Sequence, residues 1–110
     1  MASTYKVLGQ TRPADTSVAD LYTVPAGGQA VISTIIVANT TATDATFDLY
    51  VRPDGATADE GTAIAFGTTV KANTSQSITV GATADAADVI SVKSGTASAV
   101  TFTAFGLEIA

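Results

Sequence analysis

The chain has 110 residues, five basic and ten acidic, giving a net charge of −5, and it contains no Cys, His or Trp. That length holds one domain, and the missing residue types exclude a disulfide framework, a Cys/His zinc site and any Ser-His-Asp or Cys-His nucleophile arrangement. The acidic balance argues against binding nucleic acid or an anionic membrane through phosphates.

Short β-rich runs follow one another between clusters of Gly, Pro, Asp, Asn, Ser and Thr. Strands are predicted at Thr4–Gly9 and at Leu21–Val24, the second ended by Pro25-Ala26-Gly27-Gly28. Gln29–Asn39 follows. Its Val31–Val37 stretch is apolar on both parities, as expected of a central strand or one covered by a partner. Asn39–Ala45 reads as a hairpin loop. In Thr46–Arg52, Phe47, Leu49 and Val51 alternate with Asp48, Tyr50 and Arg52, one dry face and one wet. Arg52-Pro53-Asp54-Gly55 is a turn, with Pro presetting φ and Gly accepting a positive value. Thr62–Phe66 and Gln76–Val80 are further strands, Ile78 and Val80 alternating with Ser77 and Thr79. Ala82–Ala87 can make one turn of helix at most. Asp88–Lys93 is a strand, Ser94–Ser98 a second hairpin loop, and Ala99–Ile109 the last strand. That strand changes face: Val100, Phe102 and Ala104 share one parity, Phe105, Leu107 and Ile109 the other. A bulge near Gly106, or burial of both faces, would produce this.

Even spacing of short strands indicates an all-β fold, an antiparallel β-sandwich of about eight strands, jelly-roll or immunoglobulin-like, forming a single domain over residues 1–110. The expected core is Phe47, Leu49, Val51, Ile78, Val80, Ile90, Val92, Val100 and Phe102. It is thin, because much of the apolar content is Ala. Val31-Ile32-Ser33 before Phe47 is echoed by Val89-Ile90-Ser91 before Phe102; two equivalent hairpins, or the chance likeness of two loops of one composition, would give this echo. No apolar run approaches the ~20 residues of a spanning helix, and no basic segment precedes an apolar one as in a signal peptide.

The order of these segments carries a resemblance. Thr4-Tyr5-Lys6-Val7-Leu8-Gly9-Gln10, Asp20-Leu21-Tyr22-Thr23-Val24-Pro25, Val31 to Asn39, Val51-Arg52-Pro53-Asp54-Gly55, Asp88-Val89-Ile90-Ser91-Val92 and Phe102-Thr103-Ala104-Phe105-Gly106-Leu107-Glu108 together resemble small virion structural proteins of tailed phages, especially those of aquatic bacteria and cyanobacteria. The resemblance implies a particle component made in the host cytoplasm, with no cofactor and no catalytic residues to carry over. A capsid cement (decoration) protein that stabilises the shell is the first expectation, and a neck, tail or baseplate accessory the second. A receptor- or carbohydrate-binding module is the alternative of another class, disfavoured by the scarcity of aromatic faces for sugar stacking. Partners would be the major capsid protein or tail and neck proteins, together with further copies of the chain.

Candidate sites are few. Asp54, Asp59 and Glu60 in one loop and Asp85 and Asp88 in another offer hard oxygen ligands for Ca²⁺, but the spacing of a D-x-D-x-D-G loop is missing, so they read as solvated loop acids and no metal site is expected. Paired carboxylates without a sugar platform do not make a glycosidase. Asn39-Thr40-Thr41 and Asn73-Thr74-Ser75 match the glycosylation sequon and read as Asx turns. Tyr5, Tyr22 and Tyr50 suit strand edges or interfaces. Arg52 could anchor a partner's carboxylate or pair with Asp48 or Asp54. The contact residues expected are Tyr5, Tyr50, Arg52, Phe105, Leu107 and Ile109. The acidic surface should meet Lys or Arg on a shell, salt-sensitively, whereas Phe105, Leu107 and Ile109 should bind independently of salt.

Overall fold

Val, Ile and Thr dominate the regular segments, and their branched Cβ atoms favour extended backbone. In the computed structural model, which describes residues 3–109, they build β1 (Ser3–Thr11), β2 (Ala19–Thr23), β3 (Gln29–Asn39), β4 (Ala45–Arg52), β5 (Ala63–Val70), β6 (Ser75–Asp85), β7 (Val89–Ser94) and β8 (Val100–Ile109). Two four-stranded antiparallel sheets result, in the orders β1-β8-β3-β6 and β2-β7-β4-β5. The pairings are nested: β1 with β8, β2 with β7, β3 with β6, β4 with β5. Only β4 and β5 are both consecutive and paired, whereas each of the other six connections crosses between the sheets. This is the jelly-roll order, a long ribbon folded over itself, and it decides against the immunoglobulin-like alternative.

The order corrects the two predicted hairpin loops. Residues 40–44 and 95–99 are arches between sheets, because β3 and β4 lie in different sheets, as do β7 and β8. The arches run side by side, β3 beside β8 and β4 beside β7. The echoed phenylalanines meet between them, with Phe47 and Phe102 edge to face at 6.0 Å between centroids and 71° between planes. Ala82–Ala87 makes no helix. It is the end of β6 and a turn closed by the Asp88 N–H on the Asp85 carbonyl at 3.1 Å, with Ala87 at φ 72°. In the 52–55 turn, Asp54 (φ 53°) and Gly55 (φ 72°) are the central residues and the Ala56 N–H donates to the Pro53 carbonyl at 3.0 Å. Positive φ at both centres is a type I′ signature, so Pro53 precedes the bend and does not preset it.

Phe47, Leu49, Ile90, Val92, Val100 and Phe102 are buried as predicted. Val51, Ile78 and Val80 are only half-buried and pack against the core from its margin. Ile78 and Val80 lie on β6, an edge strand with a neighbour on one side only. Leu8, Ile32, Ile35, Val37 and Val70 fill the places beside them. Gln29–Asn39 is indeed an internal strand, flanked by β8 and β6.

The last strand does not change face, contrary to the expectation: Val100, Phe102 and Ala104 point inward, Glu108 keeps that parity and reaches Tyr22 of the facing sheet, and Phe105, Leu107 and Ile109 form an apolar outer row. β8 runs without interruption, but the register shifts between Val7 and Gly9 on β1, opposite Phe105 and Ala104, and between Ile32 and Thr34 on β3, opposite Gly106 and Phe105. Leu8 and Ser33 are the extra residues, and on β6 Gly81 (φ 58°) lies opposite the same step. A Cβ on Gly106 would stand 1.9 Å from the Val31 carbonyl oxygen, so only glycine fits beneath the bulge.

Candidate contact surfaces

Register places the outward residues of β1, β8 and β3 in rows. Tyr5 lies beside Leu107 and Leu107 beside Val31; Val7 lies beside Phe105 and Phe105 beside Thr34; Ile109 lies between Ser3 and Gln29. Four of the six expected contact residues, Tyr5, Phe105, Leu107 and Ile109, thus share one outer face. Tyr5 is 86 % and Val7 51 % exposed, Phe105 is exposed, and Leu107 and Ile109 are half-buried. The rest of this face is mostly Ser, Thr, Ala and Ile. Among the described residues its one charged side chain is Asp85, at the end of β6 beside Gln29. Lys6 and Glu108 have the opposite parity. They pair with each other at 2.9 Å, and Glu108 also accepts from the Tyr22 hydroxyl of the facing sheet. Those two donors, Tyr22 first, hold the Glu108 carboxyl below its usual range, while burial and the carboxylate push the Tyr22 hydroxyl up.

Tyr50 and Arg52 lie on the outer side of the other sheet, apart from the first four. Tyr50 is 3 % exposed, inside the fold, where it was expected at an interface. Its hydroxyl donates to Asp48 at 2.9 Å, and burial and then that carboxylate push its pKa up to about 12. Asp48 also accepts the Gly67 N–H at 2.7 Å, tying β4 to the bulged edge strand β5. Arg52 pairs with Asp20 at 3.1 Å, where Asp48 or Asp54 was expected. It also donates to Ser91 and to the Gly55 and Ala56 carbonyls. Its planar fork is therefore engaged within the chain, clamping the type I′ turn to β7 and β2. Nothing local singles out Asp20, because the β2–β7–β4 neighbourhood is set by strand order.

Ile64 and Phe66, on β5, are contact candidates that sequence reasoning missed. They are 48 % and 59 % exposed and alternate with Ala65, which faces inward opposite Leu49. The available signal was Ala63–Val70 itself, a strand without a charged residue. Edge strands ordinarily carry one to discourage pairing.

The loop acids serve the backbone. Asp88 accepts the N–H groups of Asp54 (3.0 Å) and Asp85 (2.9 Å), which lower its pKa, and Asp59 accepts that of Gly61 at 2.8 Å. Among the described residues no three acids converge as a metal-binding group. Asn39 forms the expected Asx turn, accepting the Thr41 N–H at 2.9 Å, and its amide donates to the Thr43 and Val70 carbonyls. Asn73 sits at φ 56° in a turn closed by the Thr74 N–H on the Lys71 carbonyl.

No family model and no curated protein matches this chain. Among solved structures, one of the infectious bursal disease virus Gx strain is similar at 11% sequence identity and a TM-score of 0.43. The match covers 97% of this chain and 31% of that one, so the chain spans about a third of that neighbour's length. A likeness this distant carries no argument about what the chain does.

Proposed function

We propose that the chain is a non-enzymatic structural component of a virus particle, of the tailed-phage kind its sequence resembles, and that it acts as a capsid cement protein. The observation that carries this reading is the presence of uncovered apolar side chains on both sheets: Tyr5, Val7 and Phe105 on the outside of one, Ile64 and Phe66 on the outside of the other. A domain with contact surfaces on opposite sides is built to bridge neighbours, and apolar patches of this kind mark interaction sites. The jelly roll supplies a rigid slab between them; viral capsid domains use this architecture, although the fold alone does not fix the role.

The surface suited to a shell is the one bearing Ile64 and Phe66. Asp59 and Glu60 precede it in the chain, and Asp20, Asp48, Arg52 and Lys93 belong to the same sheet. The four sheet charges balance, so basic residues on the shell would be drawn to Asp59 and Glu60 beside it. A ligand that binds the assembled shell and not its separated subunits stabilises the shell by mass action.

The test is to add the purified chain to undecorated shells across a salt series, measuring occupancy and rupture temperature, and to count copies in intact particles. Hundreds of copies, a raised rupture temperature and occupancy that falls as salt rises support the cement role. Six or twelve copies, or binding to isolated tails and not to shells, would move the protein to the neck or tail.

A further inference from the structure

The two outer faces differ in charge. A chain of net −5 holds, among the described residues, one charged side chain on the outer face of the β1-β8-β3-β6 sheet, Asp85, placed at its corner. Six of the ten acids lie in loops and turns, and the other sheet carries Asp20 and Asp48 together with Arg52 and Lys93. A face with so little charge offers little to a basic partner, and two acidic molecules can meet on it with few opposing like charges.

From this we infer that the outer face of the β1-β8-β3-β6 sheet is a self-association surface, covered by the same face of a second copy. In a two-fold contact, residue i of each copy meets residue j of the other, so the face must hold both a protrusion and a recess. It holds both. Tyr5 stands 86 % exposed. Beside it the strand surface at the bulge forms a shallow, open depression lined by Lys6, Val7, Ser33, Phe105 and Gly106, with Tyr5 at its rim. The Tyr5 ring of one copy fills the depression of the other. The molecule measures 44 × 26 × 21 Å, so its broad face has room for the roughly 800 Å² per partner of a stable interface. The inference stands independently of what the opposite sheet meets. It assigns Phe105, Leu107 and Ile109 to another copy of the chain and leaves the salt-sensitive contact to the other sheet.

The test is the mass of the full chain by sedimentation or light scattering at low and high salt. A dimer that persists at about 1 M salt is expected, because apolar contacts are not screened. Leu107→Glu should weaken association by at least about 100-fold, since it buries an unpaired charge. Val7→Glu, at a position already half open, should do the same if Leu107→Glu fails to fold. Phe66→Glu should leave the dimer intact. A wild-type chain that is monomeric at high concentration, or one whose dimer survives Leu107→Glu and Val7→Glu, overturns the inference. The two proposals fail separately: a dimer that binds no shell sinks the cement role alone, and a monomer that binds shells sinks the self-association alone.

Discussion

The Phe47–Phe102 contact gives the most direct test of the packing. Each ring comes from a different sheet and is at most 1 % exposed, and they meet edge to face at 6.0 Å. Truncating a buried Phe to Ala typically costs about 3–5 kcal/mol. A chain of this length holds roughly 5–16 kcal/mol in total, so one truncation removes a large share. In urea, with a slope of about 1.5 kcal/mol per molar, either Phe→Ala change should lower the midpoint by about 2–3 M. The rings should also be coupled, by about 0.5–1.5 kcal/mol beyond the area they bury. That term is read from a double-mutant cycle of Phe47→Leu and Phe102→Leu, which keeps aliphatic bulk so that the double variant stays folded. Unchanged midpoints for both Ala variants would mean that the registers of β4 and β8 are displaced by one residue. Leu substitutions that add within about 0.3 kcal/mol would mean that the rings do not touch.

Gly106→Ala should be more damaging than its size suggests, because the new methyl overlaps the Val31 carbonyl at 1.9 Å and must part β8 from β3; a melting temperature within a degree of wild type would contradict the bulge geometry. Asn39→Ala should cost about 2–4 kcal/mol by leaving buried backbone groups unpaired, read by chemical denaturation. Ala87→Gly should stabilise by about 0.5–1 kcal/mol, since it relieves a left-handed alanine at φ 72°, whereas the same change at Ala86 should not. Tyr22 has a folded pKa above its ordinary 10.0, so its contribution is complete below pH 10 and is lost as pH rises toward the folded value. Tyr22→Phe should flatten that alkaline fall in urea midpoints taken between about pH 9 and 12. Glu108 runs the other way: its stabilisation is complete above its ordinary 4.5 and is lost as the solution is acidified through its lower folded value.

Strand positions were legible because alternation is local: Phe47, Leu49 and Val51 against Asp48, Tyr50 and Arg52 identify β4 without knowledge of its neighbours. The apolar run Phe105, Leu107 and Ile109 is visible in the sequence but marks an uncovered outer face and not a change of parity, and the bulges beside Gly106 sit on β1 and β3, where the sequence of β8 cannot show them. Strand order was hidden, since β1 pairs with a strand about 100 residues away. That one gap explains the other errors. An arch between sheets shows the same turn residues as a hairpin, so residues 40–44 and 95–99 were misread. Arg52 was matched to the nearest acids in sequence, and Asp20 is nearer in space. Tyr50 looked like a surface tyrosine because its strand alternates. Yet the segment after the turn folds back beside it, with the Val51 N–H bonded to the Thr62 carbonyl at 2.9 Å.

The nested pairing also sets a timetable. With β4 and β5 the only adjacent strands that pair, the centre of the chain can form a hairpin early, in about 1–10 μs. β3 can then find β6, but β1 and β2 have no partners until β7 and β8 exist. On a ribosome that adds roughly 5–20 residues per second, the first two strands therefore wait for seconds with their apolar sides uncovered. Closing so many distant pairs makes folding slow for a domain of this size. During that wait the unpaired β1, with Tyr5 and Val7, is open to β8 of a neighbouring nascent chain. Exchange of β1 between copies is therefore the misassembly this fold most readily permits.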